Sequence, residues 1–336
     1  MPGPTIADVA RAAEVSTATV SHALNGTGRI GEGTRRRVRE VAAGLGYGTR
    51  RGPRTRTLGL AVTTFAGTAW DFVTIAYFSR FITAATSAAH ARGYALTTLP
   101  AERCAEGLWH TLAVDGMLLV DSPAGDPVPG ALRARGLPLV FDGRPPEPRP
   151  GDVWVDNDHA GTTREVLDHL AAAGARRPAL HSGHGREHYT GAVVAAYRQW
   201  CAERGVAEVV VPFGPEDGPG HAFDAAFGAA PRDRPDAVYC AYDPGGRQVL
   251  AAAARHGLGV PGDLLVVCTS EDPAYGATEP PVTTVTLRPE AAGAEAVAAL
   301  VALIESGRAG GPAGAGARMV PAALRVRASS LRPVMY

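Results

Sequence analysis

From Leu58 onward the chain alternates short apolar runs with segments of helical periodicity, and this alternation restricts its fold more than any other feature. Leu58 to Val62, Tyr94 to Leu99, Gly116 to Val120 and Leu137 to Phe141 are runs of strand length. Between the first two lies a helical segment, Ile75 to Arg92, which Gly93 ends. A second series follows, with helices expected at 158–173, 190–204, 221–229 and 244–256 and strands at 178–182, 208–212, 236–241 and 264–268. Short apolar strands separated by helices belong in parallel sheets whose faces are covered by the crossover helices. Two such series predict an α/β body of two doubly wound parallel sheets, hence two lobes around a cleft.

The first 47 residues follow a different pattern. Thr5 and Asp8 have the spacing of a helix capping box, and Ile6, Val9, Ala10 and Ala13 then share one helical face. Glu14 to Ser16 make a turn, and Ser16 can cap a second helix, Thr17 to Asn25, whose Val20, Ala23 and Leu24 point one way. Thr17, Ala18, Ser21, His22 and Asn25 stay outward. Residues 26–33 break the chain. A third helix, Thr34 to Leu45, turns Val38, Val41, Ala42 and Leu45 inward and its arginines outward. Two short helices across a tight turn, backed by a third, form a helix-turn-helix, so an all-α head is expected on the α/β body.

The formal charge is zero, but residues 1–57 hold ten arginines against four acids. The remaining residues carry the matching negative excess. A basic head on an acidic body suits a phosphate-binding module, although a solvated arginine-rich face would give the same count. Cys104, Cys201, Cys240 and Cys268 lack paired spacing, which favours reduced thiols over a disulfide framework or a zinc site. No apolar run approaches the roughly 18 residues of a membrane span, and the start has no basic-then-apolar leader. A cytoplasmic location without a membrane partner is therefore expected.

The residues of the head also occur in a known order. Thr5-Ile6-Ala7-Asp8-Val9-Ala10, Val15-Ser16-x-x-Thr19-Val20-Ser21-x-x-Leu24-Asn25, Thr34-Arg35-x-Arg37-Val38 and Leu45-Gly46-Tyr47 together resemble the head of the lactose-repressor (LacI/GalR) family. Asp115-Gly116, Val155-Asp156-Asn157 with Ala160-Gly161, Leu170-x-x-x-Gly174, Gly257-x-x-Val260-Pro261-x-Asp263, Pro280-x-Val282-Thr283-Thr284-Val285 and the tail Pro321 to Ser330 resemble that family's ligand-binding body. That body is itself similar to periplasmic sugar-binding proteins. The resemblance implies a helix-turn-helix domain at 1–47, an arginine-rich linker at 48–57 and an effector-binding and dimerisation body at 58–336. Lobe one would take about 58–156 and 286–317, and lobe two 157–285 and 318–336.

It also implies that the second helix enters the major groove. Thr17 and Ala18 would meet base edges, with His22 one turn further on, while Ser16, Thr19, Ser21, Asn25 and Tyr47 would mostly hold phosphates. Thr5 and the linker residues Arg50, Arg51 and Arg54 complete the expected DNA-binding set. His22 stands where the family usually has arginine. A neutral histidine offers one donor or acceptor and a shorter reach, so either the operator preference differs or His22 touches only phosphate. The linker departs further. It lacks the family's leucine, and Gly52-Pro53 opposes a helix, so a flexible arginine arm is expected instead of a minor-groove wedge.

The cleft departs most. His188 replaces an arginine three residues before Gly191, Tyr242-Asp243 replaces Asn-Asp, Cys268-Thr269-Ser270-Glu271 replaces a Gly-aromatic-Asp-Asp turn, and Leu287 replaces a polar residue. Those side chains supply the dense hydrogen bonding that sugars need. Their loss argues against a simple monosaccharide and leaves either a more aromatic or apolar small molecule or no effector. The effector-binding candidates are Trp70, Asp71, Asp142, Asp156, His188, Tyr242, Asp243, Ser270 and Glu271, with Tyr189 nearby. Trp70 and Tyr242 are equally explained as packing, Asp71 as a helix-start carboxylate, and Asp142 with Arg144 as a mutual pair.

His181, His184, His188 and Glu187 could be read as metal ligands, but a polar loop beside the cleft is the preferred reading. There is no nucleophile elbow and, without any lysine, no phosphate-binding Gly-x-x-x-x-Gly-Lys. Neither metal, cofactor nor enzymatic activity is expected. The expected function is a homodimeric regulator, in all expectation a repressor, that binds a near-palindromic double-stranded operator under control of a small molecule in the cleft. The alternatives are a cytoplasmic small-molecule binder with a vestigial head, or a regulator with no effector.

Overall fold

The computed structural model describes residues 5–25, 28, 30–45, 54–63, 71–99, 109, 112–214, 217, 220–307, 309–311 and 316–332. The head consists of α1 (Ile6–Ala12), α2 (Thr17–Asn25) and α3 (Glu32–Leu45). Both halves of the capping box form: the Thr5 amide donates to Asp8 Oδ2 at 2.7 Å, and the Asp8 amide donates to Thr5 Oγ1 at 3.4 Å. The turn places Glu14 at φ 53°, and Ser16 Oγ accepts the Thr19 amide at 3.0 Å, capping α2. Val9, Ala13, Val20, Ala23 and Val38 close a small core between the three helices. Leu45, expected to face inward, is instead 41% exposed. It ends α3 beyond Ala42, the last buried residue that the helix adds to that core among the described side chains.

The body holds two six-stranded sheets. In lobe one the order is β11-β5-β4-β3-β1-β2, from β1 (Thr57–Val62), β2 (Ala95–Leu99), β3 (Gly116–Val120), β4 (Leu139–Asp142), β5 (Val153–Asp156) and β11 (Ala317–Met319), all parallel. Lobe two runs β12-β10-β9-β8-β6-β7, from β6 (Pro178–Ser182), β7 (Val210–Pro212), β8 (Ala237–Cys240), β9 (Leu265–Thr269), β10 (Thr283–Thr286) and β12 (Ala323–Arg325). Among the described strands, only β12, an edge strand, is antiparallel to its neighbour. The inner strands of each sheet are buried on both faces. In lobe one Leu58, Leu60 and Leu118 face one cluster while Ala61, Met117 and Leu119 face another. This is why the strands read as unbroken apolar runs instead of alternating ones.

The chain passes between lobes after β5, after β10 and after β11. The second passage delivers the helix Pro289–Glu305 back to lobe one, against β3, β4 and the helix Ala76–His90. Sequence periodicity gave no sign of this helix because its exposed stripe is mostly alanine, at Ala291, Ala294 and Ala302, and so scarcely differs in polarity from its buried side. Gly293 lets the two helices touch: a Cβ there would lie 2.6 Å from the Phe81 carbonyl oxygen.

Candidate functional site

On the head, Thr17, Ala18 and His22 are exposed along α2, with Ser21 half-buried beside them. Ser16 Oγ and Thr19 Oγ1 lie 2.8 Å apart, so the two hydroxyls are held together at the N-terminus of α2. The His22 ring packs over Gly28, whose φ of 74° is open to glycine; a Cβ there would sit 2.3 Å from Nδ1. The Asn25 side chain and residues Tyr47, Arg50 and Arg51 lie outside the described residues, as does Trp70. Arg54 Nη2 donates to the Ile304 carbonyl at 3.3 Å. Asp115 accepts the Thr55 and Arg56 amides at 2.9 and 3.0 Å and the Thr55 hydroxyl at 3.1 Å. Thus the end of the expected arm is fastened to the body, and Thr57, also assigned to the linker, begins β1.

Open parallel sheets bind ligands beyond the carboxyl ends of their strands, and in this body both sheets turn those ends toward one cavity of about 110 Å³. Asp121 follows β3, and Asp142 and Asp156 close β4 and β5. From lobe two come Phe213 after β7, Ala241-Tyr242-Asp243 after β8, Thr269-Ser270-Glu271 at the end of β9 and Leu287 after β10. Tyr77 and Phe78, from the start of the helix Ala76–His90, and His159, Glu187 and Tyr189 complete much of the wall. Six carboxylates therefore line the cavity, and among the described residues no arginine does.

The carboxylates are not equivalent. Burial would raise Asp156, but hydrogen bonds from His159 Nε2 (2.7 Å) and the amides of Asn157 (2.9 Å) and Arg144 (3.1 Å) hold its pKa below the ordinary value. Burial pushes Asp142 up to about 7; the Tyr77 hydroxyl, 2.8 Å away, opposes the rise and the charge of Asp156 adds to it. Asp121, half-buried at the cavity wall, is raised well above the usual carboxylate range by desolvation and by the charges of Asp142, Glu187 and Asp156. Its backbone sits at φ 49°, a region costly for a residue with a Cβ. Burial also raises Asp243 and Glu271, against hydrogen bonds from Tyr275 and Ser270 to the former and from Thr286 and the Leu287 amide to the latter.

Across the cavity the wall is aromatic. Phe213 and Tyr242 stack with centroids 5.1 Å apart, Tyr189 meets Tyr242 edge-on at 5.4 Å, and His159 meets Tyr189 edge-on at 4.8 Å. The phenol of Tyr189 is spent on the Ala241 carbonyl and that of Tyr242 on Thr190.

Two family descriptions match the chain: "Bacterial regulatory proteins, lacI family" over residues 5–49 and "Periplasmic binding protein-like domain" over 167–330. Over 320 residues the chain is 30% identical to the HTH-type transcriptional regulator CelR of Thermobifida fusca, covering 89% of this chain and 91% of that one. The chain belongs to the lacI family. Like that family, it is a DNA-binding transcriptional regulator with a helix-turn-helix head and an effector-binding body. It is also 29% identical over 299 residues to the HTH-type transcriptional repressor PurR of Vibrio campbellii, covering 84% of this chain and 86% of that repressor. The solved CelR–cellobiose complex superposes with a TM-score of 0.72 at 27% identity, covering 97% and 99% of the two chains. A lac repressor dimer bound to operator and the anti-inducer ONPF shares the fold, with a TM-score of 0.67 at 21% identity over 98% of this chain and all of that one. These named relatives are transcriptional regulators, not enzymes. Among the described residues of this lacI-family chain, no helix is long and apolar enough to cross a membrane.

Of the candidates named from sequence, the cavity gathers Asp142, Asp156, Tyr242, Asp243, Ser270 and Glu271. His188 does not line it; the ring begins the helix His188–Arg204 and is half-buried near Asp156, His159 and Arg144, and burial lowers its pKa. Asp71 begins a single helical turn, Asp71–Thr74, and its side chain lies outside the described residues. Asp142 and Arg144 do not pair: Asp142 accepts from Tyr77, and the Arg144 guanidinium lies over the Trp154 ring. His181 is not in a polar loop; it is a buried residue of β6, bonded to the Val211 carbonyl at 3.1 Å and to Gln248 at 2.8 Å. Sequence reasoning missed Asp121 and Phe213, which the strand-end rule applied to Asp142 would have found. It also missed Tyr77 and His159, for which no local signal exists.

Proposed function

We propose that this protein is a cytoplasmic, homodimeric repressor that binds a near-palindromic operator and whose operator affinity is set by a small molecule in the interlobe cavity. A two-fold dimer matches two half-sites, and a single head alone would bind weakly. Thr17 and Ala18 read base edges with His22 one turn on, while Thr5, Ser16, Thr19, Ser21, Asn25 and Tyr47 hold phosphates and Arg50 and Arg51 add charge from the linker. The effector is held by Asp142, Asp156, Tyr242, Asp243, Ser270 and Glu271, and a simple monosaccharide is not that effector.

The observation that carries this reading is the position of the cavity. It lies against the first two interlobe passages, whose Asn157 and Leu287 belong to its wall, and Asn157 also holds the Val320 carbonyl of the third. A ligand that draws the lobes together must therefore act on the segments about which they turn, and its affinity is reciprocally coupled to that for DNA. We assign the cavity carboxylates to binding and not to catalysis, in keeping with relatives that are transcriptional regulators.

The test is selection of randomised duplex DNA by the purified protein, followed by titration of the enriched duplex at two salt concentrations. A palindrome bound tightly, with affinity falling steeply as salt rises, is the expected result. Binding that is weak and indifferent to sequence would overturn the operator assignment.

A further inference from the structure

We propose that the interlobe cavity takes a cationic amine carrying an apolar body, with the ammonium held by Asp121 and Asp142 of lobe one and the body seated on Phe213, Tyr242 and Tyr189 of lobe two. This rests on the reading of the cavity as the effector site and specifies the chemistry of what enters it.

The cavity wall presents hydrogen-bond acceptors and ring faces, while its donors are already engaged. Tyr77 donates to Asp142, Tyr189 to Ala241, Tyr242 pairs with Thr190, and the Asn157 amide is committed to two main-chain carbonyls. A polyol needs donors as well as acceptors from its site. A ligand that brings only donors at one end and only apolar surface at the other fits this wall, and an alkylammonium is such a ligand.

The carboxylates also differ in what already satisfies them. Asp156 has His159 and two amides, Glu271 has Thr286 and the Leu287 amide, and Asp243 has the Tyr275 hydroxyl at 2.9 Å. Asp142 has the Tyr77 hydroxyl alone, and no hydrogen bond or ion pair reaches the Asp121 carboxylate from the described residues. These two least satisfied groups are adjacent. The Asp121 amide donates to the Asp142 carbonyl at 2.9 Å, and Asp121 Oδ1 lies 3.1 Å from where a Cβ on Gly143 would stand. A buried and a half-buried carboxylate side by side without a cation are costly to ionise together, and an ammonium between them removes the cost. Desolvation raises the pKa of both, with the charge of Asp142 adding to the rise at Asp121 and that of Asp156 at Asp142.

An independent observation at the same wall also calls for a donor. His159 is 7% exposed, lines the cavity and gives Nε2 to Asp156, yet its Nδ1 has no hydrogen-bond partner. In the neutral ring that nitrogen is an acceptor. On the opposite side, the stacked Phe213 and Tyr242 rings offer the faces against which an apolar or cationic group gains most.

The test uses the full chain and four probes: tyramine, its neutral analogue tyrosol, the anionic analogue 4-hydroxyphenylacetate, and cellobiose. Melting temperature and affinity for the selected operator are measured with each. Tyramine is expected to raise the melting temperature and to bind at least tenfold more tightly than tyrosol. Asp121→Asn is expected to abolish that preference, and Asp142→Asn to reduce it. Equal binding of tyrosol or 4-hydroxyphenylacetate, or no binding by tyramine, overturns the amine assignment. The effector reading is judged separately with Leu287→Trp, which fills the cavity without any ligand. If its operator affinity matches wild type, the cavity is uncoupled from DNA and that reading fails; if it changes, only the ligand class is at stake.

Discussion

The side-chain amide of Asn157 donates to the main-chain oxygen of Val320 at 2.7 Å, across 163 residues of sequence. The same nitrogen donates to the Leu287 carbonyl at 3.1 Å, so one residue ties the three passages between lobes to each other. Asn157→Ala leaves both carbonyls short of a buried donor and is expected to cost about 2 kcal/mol. Urea unfolding measures that loss. The same variant should blunt the response of operator affinity to any cavity ligand, because the passages no longer move as a unit.

Asp142 sets a dependence on pH. Its folded value of about 7 stands above the ordinary 3.8, so between these pH values the folded protein binds a proton that the unfolded chain has released. Stability then falls as pH rises through that window and levels off above about 7. The raised Asp121 acts in the same direction. Asp142→Asn removes this contribution, so the stability of wild type relative to the variant should decline from pH 4.5 to pH 7.5 in paired urea titrations. A difference that grows with pH would show that the carboxylate is stabilised when ionised.

At Gly293 the constraint is steric. A Cβ there meets the Phe81 carbonyl oxygen at 2.6 Å, and backbone cannot swing aside as a side-chain tip can. Gly293→Val should therefore cost about 1–3 kcal/mol by overpacking the contact between the helices Ala76–His90 and Pro289–Glu305. The melting temperature is the readout, and Gly191→Val, where a Cβ meets nothing within 4 Å, is the control.

The exposed ring of His22 offers a test of specificity. His22→Arg supplies the two-donor fork that grips guanine, and it should shift the enriched base at one position of each half-site by about 1–3 kcal/mol of discrimination. Ser16→Ala should weaken binding to all sequences alike, since its hydroxyl caps α2 and is assigned to phosphate. Duplex selection with each variant separates the two effects.

The head was legible almost residue by residue in the sequence. Its helices are started by local bonds, Thr5 with Asp8 and Ser16 with Thr19, and their buried faces follow a 3.6-residue period that needs no knowledge of distant chain. Leu45 was the exception, because periodicity continues to the end of a helix while the core it packs on does not. The alternation of the body likewise fixed two parallel-dominated sheets, since strands covered on both faces must be apolar along their whole length. Tertiary structure decided the rest. The helix Pro289–Glu305 exposes a stripe made largely of alanine and so carries little amphipathic signature. Which carboxylates share a cavity depends on the spatial neighbours of strand ends drawn from residues 121 to 287, and no local pattern records that Tyr77 reaches Asp142 or that Asp121 is left without a partner among the described residues. Helix and strand patterns are short-range properties of the backbone, whereas this cleft exists only once two separately folded sheets bring their carboxyl ends face to face.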